Sequence, residues 1–349
     1  MHGVGTEMPI AGDLTTLPES FERETTLPPR SADWVINASD RSRPRVSVVM
    51  PFLNTPAPFI TEAVESVLGQ TFTDWELILA NDGSGPATLE VAHALAARDA
   101  RVRCISHDGG VNRGIPATRN LGITNAHGDL LAFLDSDDVW YPKKLEEQLQ
   151  ILDAAPDVDM VFGRSVYWRA WSADGDQRDR LPLLGVRDRT VFPRGDFLRK
   201  VLRAQIMVPC PSSILVRTSA VRAVGGFQAN VSNLYEDQGF YAKVSLAGVV
   251  MACNEVWDRY RLHSASVIGS ATRREAAEAR RQYLDWLTTY LDETDIENRR
   301  LRRAVRVERW VAGIPYGPRL LRSVRRLAAF PGRLVQRLHI SETAGRIAR

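Results

Sequence analysis

Two carboxylates two positions apart, Asp135 and Asp137, stand directly after the apolar run 130–134, with Asp138 beside them. Projecting from a strand end, such a pair can hold one divalent ion and leave coordination sites open to phosphate oxygens. Mg²⁺ and Mn²⁺ are commonly bound in that way. The same residues also suit an acidic turn that caps the next helix. A second polar cluster, Asn81-Asp82-Gly83-Ser84, ends another apolar run and reads equally well as a plain turn. A third, Glu236-Asp237-Gln238, opens the amphipathic stretch of Phe240, Tyr241 and Val244, where acidic residues suit a helix N-terminus. The fourth is Tyr260-Arg261-Leu262-His263. Its imidazole is a metal ligand when neutral and a partner for phosphate when protonated.

The elements that must position these clusters follow from periodicity. Val46-Ser47-Val48-Val49-Met50, ended by Pro51, is a short β-branched run and reads as a buried strand. Ile60, Ala63, Val64, Val67 and Leu68 then fall on one helical face, with Pro58 in the first turn and Gly69 at the end. Strands over 75–80, 102–106 and 130–134 alternate with helices over 86–97 and 116–126. That rhythm describes βαβ units and a largely parallel sheet. Ligands bind such sheets beyond the carboxyl ends of the strands, which is where the polar clusters lie. Farther on, the pattern predicts a helix over 142–153, a strand over 158–162, and a hairpin turn at Asp174-Gly175. A charged connection follows over 176–189, then a short helix around Phe197–Leu202 and a strand over 212–217. A helix over 236–247 and two strands, 249–253 and 256–262, come next, and beyond about residue 272 the pattern is helical and Arg-rich.

Taken in order, V-S-V-V-M-P, then W-E-L-I-L-A-N-D-G-S, then N-R-G-I-P-A-T-R-N-L-G, then G-D-L-L-A-F-L-D-S-D-D resembles family 2 of the glycosyltransferases. The resemblance is dense from Arg45 to about Leu152 and thinner to about Ser266. It implies the α/β GT-A fold, a Rossmann-like, mostly parallel central sheet flanked by helices. It divides the chain into an irregular leader (1–44), a catalytic domain (45–271) and a basic helical extension (272–349). Within the domain, 45–152 binds the nucleotide sugar and 153–271 faces the acceptor and carries the catalytic base. The resemblance further implies a metal-dependent, inverting transfer from a nucleoside diphosphate sugar to an acceptor hydroxyl. Pro51, Phe52 and Asn54 would line the base pocket. Asn81 stands where the family usually has an aspartate; its amide still suits a uracil or thymine edge, so UDP or dTDP donors are favoured. Asp82 and Ser136 join the donor site. Arg119 and Asn120 would meet the diphosphate, Thr118 replacing the usual alanine before them. Asp137, Asp135 and His263 would hold Mn²⁺ or Mg²⁺, and Asp138 would support them. Asp237, with Glu236 beside it and Gly225-Gly226-Phe227 upstream, would be the general base. Ser212, Ser213 and Gly226 would wall the acceptor side.

Composition bounds the alternatives. The chain has 349 residues, 44% of them apolar and 25% charged, with a net charge of +3, which suits a globular protein and argues against disorder. No run approaches a membrane span, the first thirty residues lack the apolar core of a signal peptide, and Cys104, Cys210 and Cys253 form no disulfide-like set. A cytoplasmic address is expected. No G-x-x-x-x-G-K-[ST] or G-x-G-x-x-G motif occurs, which disfavours kinases and dehydrogenases. A sugar-nucleotide pyrophosphorylase would need a Gly-rich loop after the first strand, and 52–59 has no glycine. A nucleotide-sugar binder without turnover remains the other alternative. Residues 299–349 hold 14 Arg against Glu308 and Glu342, a local charge of +12, leaving −9 on the rest. A stripe of Leu320, Leu321, Val324, Leu327 and Ala328, continued by Leu334, Val335 and Leu338, runs among these arginines. It fits either the surface of an anionic membrane, with a lipid-linked or saccharide acceptor nearby, or packing on the acidic body. No nucleic acid is expected, because no aromatic-interleaved face accompanies the arginines.

Overall fold

A computed structural model describes residues 43–171, 178–228, 232, 234–264 and 266–313. The expected leader, the Asp174-Gly175 turn and the stripe at 320–338 lie outside the described residues.

Strand β1 (Val46–Phe52) and strand β2 (Trp75–Asn81) are buried along their whole length, as mostly apolar strands covered on both faces are, and their inner polar pair is satisfied by Ser47 Oγ donating to Glu76 Oε1 at 2.6 Å. Between them, α1 (Ala57–Leu68) places Ile60, Ala63, Val64 and Val67 on the sheet, and Gly69 closes it by donating its N–H to the Glu65 carbonyl. Helix α2 (Pro86–Ala96), strand β3 (Val102–Ser106), helix α3 (Ile115–Thr124) and strand β4 (Leu130–Phe133) complete the first half. Strands β3, β2, β1 and β4 are neighbours in that order and all parallel. The chain therefore reverses its direction of winding at the crevice between β1 and β4, where ligands of such sheets bind.

Beyond β4 the sheet becomes mixed. After β5 (Val139–Trp140), α4 (Lys144–Ala154), β6 (Met160–Trp168), β7 (Thr190–Phe192) and α5 (Asp196–Leu202), strand β8 (Ile214–Arg217) inserts antiparallel between β4 and β6. Short elements that the periodicity did not suggest, among them β5, β7 and α6 (Thr218–Ala223), lie in this half. Helix α7 (Glu236–Ala247) leads into β9 (Val250–Arg261). Here the expectation of two strands is corrected: β9 is continuous and runs parallel to β6, with register shifts around Arg164 in β6 that absorb the polar Asn254-Glu255 interruption. The sheet reads β3-β2-β1-β4-β8-β6-β9-β5, with β7 also on β9.

One core lies under α1, α2 and α4, and a second lies on the opposite face under α3, α5, α6 and α7. A third is purely helical. Its Leu198, Leu202, Ala242 and Leu246 belong to α5 and α7, and they pack on α9 (Arg273–Glu293) and α10 (Arg299–Ala312). The short α8 (Val267–Ser270) precedes α9, whose start is a reciprocal cap. Thr272 Oγ1 accepts from the Glu275 amide at 3.2 Å, and Glu275 Oε2 accepts from the Thr272 amide at 2.7 Å. Such a box is worth about 1 kcal/mol. The described part of the basic extension is thus packed on the body.

Candidate active site

The turn after β4 is where the first chemical signal lies. Its four residues have different tasks. Asp138 is wholly buried; its Oδ2 accepts from Ser212 Oγ at 2.6 Å and its Oδ1 from the Arg261 amide at 2.9 Å. Burial first, and the charges of Asp137 and Asp135 next, hold its carboxyl well above the ordinary range. Ser136 shares a 2.7 Å hydrogen bond with Thr55, so the ends of β4 and β1 are tied across the crevice. Asp137 meets His263, with Oδ2 and Nε2 2.8 Å apart, both side chains partly exposed. Asp135 instead turns to Arg119.

Arg119 is 2% exposed, and its two terminal nitrogens reach Asp135 and Glu236. Burial would lower its pKa, but the charges of the two carboxylates outweigh that and raise it. Asp135 and Glu236 are themselves pushed up, chiefly by burial. Arg119, expected at the diphosphate, thus has two carboxylates in its fork, with Phe227 packed 5.2 Å away. Arg119 joins the acidic turn to the N-terminus of α7. There Asp237 follows Glu236, half-buried, its Oδ1 accepting from the Gln238 amide at 2.6 Å. Burial, then the charge of Glu236, pushes Asp237 up to about 8, the range in which a carboxylate can take a proton near neutrality.

Several other expected contacts serve the architecture. Asn120, expected at the diphosphate, clasps the Phe227 backbone, donating from Nδ2 to the carbonyl and accepting the amide at Oδ1, both at 2.7 Å. Gly226 makes the clasp possible: its φ is +62°, and a Cβ there would stand 2.4 Å from Asn120 Oδ1. Ser212 and Ser213, expected on the acceptor side, are both fully buried. Ser212 Oγ accepts from the Asp135 amide at 3.2 Å while donating to Asp138, and Ser213 Oγ donates to the Cys210 carbonyl at 2.8 Å.

At the crevice's other wall, Pro51 and Phe52, expected near the base, are buried in β1, and Phe52 belongs to the first core. Asn54, with φ +47°, accepts the Gly85 amide at Oδ1 at 2.8 Å. Asn81 is 1% exposed and its amide is engaged: Oδ1 accepts from Ser84 N at 2.8 Å and Nδ2 donates to Ser106 Oγ at 3.2 Å. Asp82 Oδ1 accepts the amides of Arg113 and Gly114, at 2.7 and 3.1 Å, whereas its Oδ2 is buried with no hydrogen-bond partner among the described residues. Gly83, at φ +81°, lets the 111–114 loop approach, since a Cβ would lie 2.6 Å from the Asn112 amide.

Sequence reasoning missed Arg261 and the aromatic residues about it. Its Nε donates to the Asp137 carbonyl at 2.6 Å, its fork pairs with Glu62, and its guanidinium lies 4.3 Å from both Phe59 and Trp168. Phe59 and Trp171 flank the His263 ring at 5.6 and 6.4 Å. Position two before His263 was the available signal for Arg261; Trp171 offered none.

The donor set at Asp137 and His263, one carboxylate oxygen and one imidazole nitrogen in contact and open to solvent on one side, fits a divalent ion. Among the described residues the only triad with ligand atoms within 4.8 Å of one another is Asp188, Cys253 and Glu255, far along β9, where Arg189 already pairs with Glu255.

The Glycosyl transferase family 2 profile matches residues 47–225, just over half of the chain. Among curated proteins, the chain is 30% identical over 190 residues to EpsE of Bacillus subtilis (strain 168), a provisionally named glycosyltransferase, covering 54% of this chain and 62% of EpsE. It is 43% identical over 95 residues to the uncharacterized glycosyltransferase EpsJ of the same organism, covering 27% of this chain and 26% of EpsJ. The chain thus spans less than two thirds of either relative. Among solved structures, residues 1–349 of Staphylococcus aureus TarS with UDP-GlcNAc share the fold at TM-score 0.58 and 17% identity, over 77% of this chain and 72% of that one. The Pyrobaculum calidifontis mannosyltransferase PcManGT with GDP-Man and Mn²⁺ gives 0.51 and 17%, over 88% and 81%.

Proposed function

Because this chain belongs to glycosyl transferase family 2, we propose that it moves a sugar from a nucleoside diphosphate sugar to an acceptor hydroxyl, with inversion at the anomeric carbon. One observation carries the reading: Arg119 fastens the Asp135 turn to the start of α7, so the donor end and the proton acceptor Asp237 are held as one unit. Asp237 takes the proton of the acceptor hydroxyl as that oxygen attacks, and its raised affinity for protons matches the task. Glu236 and Arg119 fix the helix end that carries it. Asp137 and His263 would hold Mn²⁺ or Mg²⁺, which offsets charge on the departing diphosphate.

The lone buried Oδ2 of Asp82 supports a pyrimidine donor. One free acceptor oxygen suits the single N3–H of uracil or thymine, whereas guanine presents two donors side by side. UDP or dTDP sugars are therefore the favoured donors. The acceptor belongs to the saccharide or lipid-linked class used in cell-surface polysaccharide and glycolipid synthesis, and an anionic membrane surface suits the basic extension. No described helix is long and apolar enough to cross a membrane. The test is an incubation of the protein with a panel of nucleoside diphosphate sugars, Mn²⁺ and saccharide acceptors, read as release of nucleoside diphosphate. Release from a UDP or dTDP sugar is expected. Donor binding without release from any member would leave a binder without turnover.

A further inference from the structure

Helix α10 has three unlike sides. Leu301, Ala304, Val305, Glu308 and Val311 are buried against α9 and α5. On one flank Arg302 and Arg309 pair with Asp292 and Asp285. The outward side follows the spacing i, i+4, i+7 and i+11: Arg299, Arg303, Arg306 and Trp310, with Arg300 and Val307 alongside. None of these four-fold-spaced arginines, nor Arg300, makes an ion pair with another described residue. Trp310 is 71% exposed and Val307 42%, an unusual state for a large indole on a soluble surface.

Beside this side, a cavity of about 330 Å³ is lined by Arg203, Arg303, Ala304, Val307 and Glu308. The Glu308 carboxylate is already paired with Arg280. A ligand entering there meets two guanidiniums that lack carboxylate partners among the described residues, next to apolar Ala304 and Val307. Residues 314–349 add eight arginines against Glu342 alone, so the charge continues with the same sign.

We propose that this side of α10 docks on an anionic phospholipid bilayer, with a headgroup phosphate between Arg203 and Arg303, and with Val307 and Trp310 at the level of the glycerol and upper acyl chains. Guanidiniums suit phosphate through their planar fork, and indoles favour the membrane–water boundary. A nucleic acid or an acidic protein would satisfy the arginines but would leave Val307 and Trp310 without apolar company. The inference stands apart from the transfer reaction, because none of these residues touches the candidate active site.

The experiment is sedimentation of the full chain with phosphatidylcholine vesicles and with vesicles that also contain phosphatidylglycerol. Partition into the second kind alone, weakened by salt, is expected. Arg303→Gln with Arg306→Gln should weaken it by about 25-fold, at roughly fivefold per basic residue at the surface. Arg303→Lys with Arg306→Lys should retain it, because the charge is kept. Trp310→Phe should abolish the blue shift that the wild type shows on vesicle addition. Nucleotide binding by calorimetry should be equal in all of them, so loss of docking and loss of the donor site read out separately. Equal partition of wild type and the Gln pair, equal partition onto neutral vesicles, or binding to RNA with no partition onto vesicles would each overturn the proposal.

Discussion

His263 Nε2 and Asp137 Oδ2 lie 2.8 Å apart across 126 residues of chain, one at the end of β9 and the other in the turn after β4. A carboxylate and an imidazole that face each other in this way could hold a divalent cation between them. Asp137→Ala and His263→Ala should therefore each weaken Mn²⁺ binding, and the rise in melting temperature that Mn²⁺ and UDP together give the wild type should shrink in both. A full shift in either variant would show that the pair is structural.

Replacing Asp237 by Asn should remove the proposed proton acceptor and leave donor binding intact. Transfer should fall by roughly 10²–10⁴-fold with UDP affinity unchanged. The same change should raise the melting temperature at neutral pH, because the fold holds this carboxyl up at about 8 and so resists its ionisation. The sign follows from linkage: a carboxyl raised on folding costs stability as pH rises above its unfolded value, until both states are ionised. A variant that loses both turnover and stability would contradict this role.

The pH profile of transfer carries the same information. The deprotonated base is the active form, so the rate should climb with pH and level off above about 8. A plateau already reached at pH 6 would assign the proton to another group.

Arg119→Met leaves two buried carboxylates without their cation. Loss of one partner from a buried ion pair commonly costs about 3–5 kcal/mol, so the variant should unfold at distinctly lower urea. Adding Glu236→Gln should restore part of that loss, since the orphaned charge is removed. No recovery in the double variant would mean that the two groups are not coupled.

Ser212→Ala distinguishes a brace from an acceptor contact. It should cost roughly 1–3 kcal/mol for the lost hydrogen bonds of Asp138 and Asp135, and should lower kcat through misplacement of the acidic turn while the acceptor KM stays unchanged. A selective rise in acceptor KM would restore the hydroxyl to the acceptor wall.

The first half of the fold was legible because its strands are buried on both faces, so that 46–50 and 75–80 read as mostly apolar runs, each with one polar residue, Ser47 or Glu76, between helical repeats. The second half was less so. In β9, exposed Asn254 and partly exposed Glu255 look like a break, yet backbone pairing to β6 carries the strand past them. At the site, residue type and order pointed to Asp137, His263 and Asp237, whose environments suit chemistry. The internal partners of Arg119 and Ser212 were not legible, because a guanidinium 117 positions from Glu236 or a hydroxyl 74 from Asp138 carries no local mark of its partner. Which polar groups are satisfied internally is a property of tertiary packing.

Helix α7 is gripped from two directions, with Phe240, Tyr241 and Val244 in the core beneath the sheet and Ala242 and Leu246 in the helical layer formed with α9 and α10. Heredity can therefore reach the proton acceptor from afar. A change in α9 at Tyr283 or Leu287, touching neither sugar nor nucleotide, would shift the floor on which Asp237 stands. Such positions form a reservoir of variation through which the reaction can be retuned while its chemical groups stay the same.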